Sequence, residues 1–231
     1  MTQHAELESL CRIEPSQRDG AWRNALVEAL SSAPLSLCDP QIDQGPDGFP
    51  YFGVALENGE DQAVLSDILA HCTERAHCGL VLFSEIGRSE PPQWVFSLGD
   101  LWSLRMFGSV EGDPDDIAET KTEAEAPASD GNQQVLLAAP SESFLPEAMR
   151  QAICDFLKDV LGLTENPDIT LVVAPDLRPS RNLMLNVEAR AFRDDPQRQA
   201  VLHALGWFVP RHRGLMYWPE EWNDRTAPGR T

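Results

Sequence analysis

"GLVLFSEIGRSEPPQWVFSL", residues 79–98, runs from an apolar segment through a polar turn rich in Gly, Ser and Pro into a second apolar segment. That order reads as a β-hairpin. A second stretch, "ITLVVAPDLRPSRNLMLNV" at 169–187, can be laid over it, with Arg, Ser and Pro again in the turn. The overlay predicts an internal duplication, and the segments around each hairpin support one.

Upstream of the first hairpin, "AWRNALVEAL" spaces Trp22, Ala25, Leu26, Ala29 and Leu30 at helical intervals, with Asp19 placed to cap. "LSLC" and "FPYFGVAL" read as strands separated by a turn over "DPQIDQGPDG", and "DQAVLSDILAHC" as a helix with Val64, Leu65, Ile68, Leu69 and Cys72 on one face. "GDLWSLRMFGS", after the hairpin, is ambiguous between strand and short helix. Downstream, "SFLPEAMRQAICDFLKDVLG" predicts a helix capped by Ser143 and ended by Gly162, with Met149, Ile153, Phe156, Leu157 and Val160 on its apolar stripe. "DPQRQAVLHALG" has the Asp-Pro start and Gly stop of another helix, and "WFVP" and "GLMYW" read as a last pair of strands. Each half therefore reads helix, strand, strand, helix, strand, strand. Hairpins backed by helices predict an α+β fold of two similar subdomains with mostly antiparallel sheets.

Between the halves, "EGDPDDIAETKTEAEAPASDGNQQ" at 111–134 has Ile117 as its one large apolar residue. Too little apolar surface to offset ordering entropy predicts an acidic flexible linker. The expected domains are 1–110, acidic and α+β, and 135–231, α+β with an Arg/aromatic cluster.

The formal net charge is −19, unevenly distributed. Residues 1–110 hold 16 acidic and 6 basic side chains, 111–140 hold 8 and 1, and 141–231 hold 13 and 11. A phosphate backbone is repelled by the first two parts and weakly attracted by the third, so nucleic-acid binding is not expected. The opening "MTQHAELESLCRIEP" lacks a basic start and an apolar core, and no run approaches the roughly 18 apolar residues of a spanning helix. Neither secretion nor membrane insertion is expected. Cys11, Cys38, Cys72, Cys78 and Cys154 are odd in number, scattered and without a C-x-x-C pair, which predicts free thiols in a reducing cytoplasm.

"HCTERAHC" at 71–78 concentrates ligand-type side chains. Cys72 continues the helical row of Ile68 and should enter the core, where a thiol behaves as a small apolar group. His71 and Cys78, seven residues apart on a regular helix, are about 10 Å apart along its axis. That is too far to share a zinc ion with bonds of about 2.0–2.3 Å. His77 and Arg75 fall where a helix end favours cations. No metal and no cofactor is expected, and G-x-S-x-G, P-loop, G-x-G-x-x-G and EF-hand patterns are all missing. His203 and His212 read as ordinary surface or packing residues.

The remaining functional lead is in the second half. "PDLRPSRN" brings Arg178 and Arg181 into one turn, and "GWFVPRHRGLMYWPEEW" gathers Trp207, Arg211, Arg213, Tyr217, Trp218 and Trp222. Arg, Trp and Tyr are the common anchors of protein interfaces. The sequence thus favours a cytosolic, non-enzymatic protein-binding role, whether accessory, chaperone-like, regulatory or toxin-neutralising. The contact residues would be Arg178, Arg181, Trp207, Arg211, Arg213, Tyr217 and Trp218. Two further readings are a hydrolase-like enzyme with a spatially assembled site, and self-association into a homodimer through the aromatic strands.

Overall fold

The computed structural model describes residues 3–112, 136–173 and 181–219. The chain divides into two compact units, Met1–Asp113 with Val209–Arg211, and Pro114–Phe208 with His212–Thr231. The acidic connector expected at 111–134 lies, from 113 on, outside the described residues, as do Arg178 and Trp222.

In the first unit, α1 (Gln3–Cys11) and α2 (Gly20–Ser32) precede β1 (Leu35–Gln44), β2 (Pro50–Ala55) and the short β3 (Gln62–Ala63). Then follow α3 (Leu65–His71), β4 (Gly79–Phe83), β5 (Trp94–Phe96) and α4 (Leu98–Phe107). Asp19 caps α2, accepting from the Trp22 N–H at 2.9 Å. The ambiguous segment is the helix α4, because Ser97 and Asp100 exchange side-chain and backbone hydrogen bonds across its first turn and Gly108 ends it left-handed at φ 68°. The sheet order is β3-β1-β2-β4-β5, antiparallel except for the parallel pair β2 and β4 joined through α3. Leu35, Phe52, Val54, Leu80, Leu82 and Phe96 meet Leu26, Leu30, Ile68, Leu69 and Leu101 in one buried core.

Two local expectations are corrected here. Val64 is 47% exposed and precedes the helix in extended conformation, so the buried row starts at Leu65. β1 does not stop at Cys38: it resumes pairing at Ile42 after a bulge over residues 38–41 and reaches Gln44, so most of "DPQIDQ" is strand. Polar residues hid this segment because both its faces avoid the core.

The second unit runs β6 (Leu136–Ala138), α5 (Glu147–Leu161), β7 (Ile169–Val173), β8 (Arg181–Leu185), α6 (Asp195–Leu205) and β9 (Gly214–Tyr217). Its sheet order is β6-β7-β8-β9, with β8 and β9 parallel. Gly162 ends α5 at φ 68°, but the residue preceding the helix is Pro146 rather than Ser143, since the chain from Ser141 first makes a turn that buries Phe144 and Leu145. Val160 is 42% exposed, so the stripe ends at Leu157. "WFVP" is not a strand: Trp207 and Phe208 sit in a turn closed by backbone bonds to Ala204 and Leu205.

The duplication is present in a different alignment from the one the hairpins suggest. Apart from β3, which the first unit inserts between β2 and α3, α2-β1-β2-α3-β4 and α5-β7-β8-α6-β9 share element order and pairing: an antiparallel hairpin, then a helical crossover to a parallel neighbour. Thus 169–187 corresponds to the β1–β2 hairpin, and the β4–β5 hairpin at 79–98 has no second strand to match it in the other unit among the described residues.

Candidate functional site

The first unit's helices cover one face of its sheet, and the strand alternation assigns the other face to odd-numbered residues of β2, β4 and β5. Register sets three rows across that face. Asp43 lies opposite Tyr51, which lies opposite Gly79; Gly53 lies beside Val81, which lies opposite Val95; Ala55 lies beside Phe83. An open face of an antiparallel sheet is ordinarily polar. Here it carries Tyr51, Val81, Phe83 and Val95, the last 39% exposed. Together with Asp43, Asp47, Arg88 and Pro92 they line a pocket of about 350 Å³.

Two glycines let large side chains lie flat on this floor. A Cβ on Gly79 would stand 2.5 Å from the Tyr51 ring and 2.6 Å from the Phe96 carbonyl oxygen, and one on Gly53 would stand 2.9 Å from Arg88 Nη2. Tyr51 is fixed at its far end by donating its hydroxyl to Asp47 Oδ2 at 2.6 Å, while Asp47 Oδ1 accepts from the Phe49 N–H at 3.1 Å. Arg88 comes from the β4–β5 turn, in left-handed conformation at φ 52°. Its guanidinium donates to Asp43 Oδ2 at 3.2 Å and to the Pro40 carbonyl inside the β1 bulge, and it stands 5.4 Å over the Phe83 ring. The same turn is anchored by Glu57, whose carboxylate accepts from the Ile86 N–H at 3.0 Å. The rim is therefore held in place before any ligand arrives.

No activated nucleophile is evident at the site. Cys38, the thiol nearest Arg88, is pushed up by burial, against a smaller lowering effect of the guanidinium. The His-Cys stretch resolves into packing. Cys72 and Cys78 are both fully buried in the core. The Cys72 thiol is raised, first by its hydrogen bond to Cys78 and then by burial. α3 widens into a π-helical turn over Cys72–Ala76, closed by His77 in left-handed conformation at φ 46°. His71 rests on the Phe52 ring, centroids 5.3 Å apart. Among the described residues, no group of three or more His, Cys, Asp or Glu side chains is placed to hold a metal ion.

The Arg/aromatic residues singled out in the sequence do not form one exposed patch. Trp207, Arg213 and Tyr217 are each 8% exposed. Trp207 meets Phe208 edge-on at 5.0 Å, Arg213 lies 3.6 Å over the Phe144 ring, and Tyr217 packs on Phe192 and donates its hydroxyl to the Arg198 carbonyl at 3.2 Å. Arg181 and Trp218 are half-buried. Arg211 belongs to the first unit, where it forks onto the fully buried Asp100 with bonds of 2.6 and 2.8 Å. Gly99 permits this, because a Cβ there would stand 2.2 Å from the Val209 carbonyl oxygen.

Sequence reading missed the open sheet face because "GLVLF" is a continuous apolar run, which suits a strand covered on both faces. The available signal was that Val81, Phe83 and Val95 exceed what a sheet backed on one side requires. Comparison with known proteins finds no matching family model, no similar curated protein and no similar solved structure.

Proposed function

We propose that this protein acts by holding another protein rather than by transforming a substrate, in an accessory, chaperone-like, regulatory or toxin-neutralising role. The observation that carries the reading is the apolar open face of the first unit's sheet, where the exposed Val95 and the half-buried Val81 and Phe83 face a pocket braced by the buried Tyr51 and by Arg88. Exposed apolar surface of this kind, edged by polar groups, is characteristic of interaction sites. Burial raises Cys11, Cys38 and Cys154, leaving their thiols protonated and weakly nucleophilic. Five free cysteines suit a reducing compartment, and the reading includes a cytosolic address. Among the described residues, no helix is long and apolar enough to cross a membrane.

A photo-crosslinking amino acid placed at Val95 tests the reading against the same group at Val64, an exposed residue outside the pocket lining. The expected outcome is a discrete polypeptide captured from position 95 and not from 64. Its binding to the purified protein should weaken at least tenfold in Val81→Asp. Capture of a second copy of this chain, with dimers in light scattering, would instead assign the face to self-association. Equal capture at both positions would overturn the reading.

A further inference from the structure

The floor and rim of the open face also specify what kind of polypeptide fits, and the argument rests on the protein-binding reading above. The floor is apolar, with Val81 and Val95 opposed in register and Phe83 following on the same face. A polar side chain entering there would lose water without gaining a partner, whereas an apolar one loses nothing of the kind. The rim is acidic. The Asp43 side chain is 65% exposed, and Asp47 is an exposed residue held in a fixed orientation by Tyr51 and Phe49. Arg88, the cation at the rim, is 18% exposed and already donates to Asp43 and Pro40. It offsets one carboxylate without making the rim positive. Around the pocket, residues 1–110 carry 16 acidic against 6 basic side chains, so the wider field has the same sign.

We infer that the occupant is a basic segment of a partner protein. One apolar side chain sits between Val81, Val95 and Phe83, and an adjacent Lys or Arg reaches the Asp43 or Asp47 carboxylate. A segment of the opposite sign, such as this chain's own acidic stretch 111–140 with 8 acidic and 1 basic side chains, is repelled by the rim.

The test uses the full chain with methyl-labelled Val and Leu and three synthetic peptides sharing a Leu-Phe centre, flanked on both sides by Lys, Ser or Glu. The Lys-flanked peptide is expected to shift the Val81 and Val95 methyl resonances and leave those of Leu80 and Leu82, on the core side, in place. Its affinity should exceed that of the Glu-flanked peptide about tenfold or more at low salt, and the gap should narrow as salt shortens the Debye length from about 30 to about 8 Å. The isosteric double variant Asp43→Asn, Asp47→Asn should bring the Lys-flanked peptide down to the level of the Ser-flanked one. Equal binding of all three peptides at Val81 and Val95 would overturn the charge selectivity and leave the protein-binding reading standing. Shifts confined to other methyls, or none with any peptide, would overturn both.

Discussion

At the scale of single residues, the pocket depends on side chains that are missing as much as on those present. Gly79 leaves the space into which the Tyr51 ring lies, with both the ring and a backbone oxygen within 2.6 Å of where a Cβ would be. Gly79→Ala is expected to cost about 1–3 kcal/mol, as overpacking does. Chemical denaturation should show a lower midpoint with an unchanged slope. Arg211→Ala removes the fork from a carboxylate that is fully buried. Loss of one partner from a buried pair costs about 3–5 kcal/mol. Because the Arg211 side chain is 52% exposed and Asp100 keeps its Ser97 partner, a loss of about 2 kcal/mol is expected. Tyr217 supplies a pH dependence. Burial pushes its phenol up to about 12, with Arg198 pulling the other way. The neutral form is favoured in the folded state, so this contribution is whole below the ordinary value of 10.0 and lost as pH rises toward about 12. Tyr217→Phe should remove the loss of stability specific to that window, read as the difference between the two proteins' denaturation midpoints against pH.

At the scale of elements, the repeated helix-hairpin-helix-strand arrangement makes β2 and β8 equivalent. Each has an antiparallel neighbour on one side and a parallel one on the other. Hydrogen exchange should therefore be slowest at the amides of β2 and β8 and fastest at the two-residue β3 and three-residue β6, which lie at sheet edges. Equal protection of β3 and β2 would contradict the equivalence. Much of this level was legible in the sequence. α2, α3, α5 and α6 follow a 3.6-residue apolar period, and β4, β5 and β7 are short apolar runs between turns. What stayed hidden is long-range. The parallel pairing of β2 with β4 is a property of partners 28 residues apart, as for Tyr51 and Gly79, and no local pattern encodes it. α1 has only Leu7 fully buried, so its sequence shows no stripe to find.

At the scale of the whole molecule, the net charge of −19 bears on association more than on folding. Capture of a basic partner is expected to slow markedly with added salt, while dissociation changes less, which stopped-flow mixing across a salt series would measure. The acidic excess of residues 1–110 is plain in the sequence, whereas the burial of Trp207 and Tyr217 is not. Trp207 and Tyr217 are as attractive as interface anchors on paper as Val81 and Val95 are unremarkable, and only packing tells them apart. Gly99→Ala and Arg211→Ala both act on the docking of Val209–Arg211, through the backbone contact and the ion pair respectively. Their stability losses should fall short of adding in the double variant, because either one dislodges what the other needs.

That three-residue segment also imposes a schedule on biosynthesis. Asp100 emerges 111 residues before the arginine that neutralises it. At a translation speed of about 5–20 residues per second, a nascent chain waits about 6–22 s with α4 begun and its buried carboxylate unmatched. The amino-terminal half can gather its sheet and helices in that interval, but Asp100 gains its counter-charge only once residue 211 has been added.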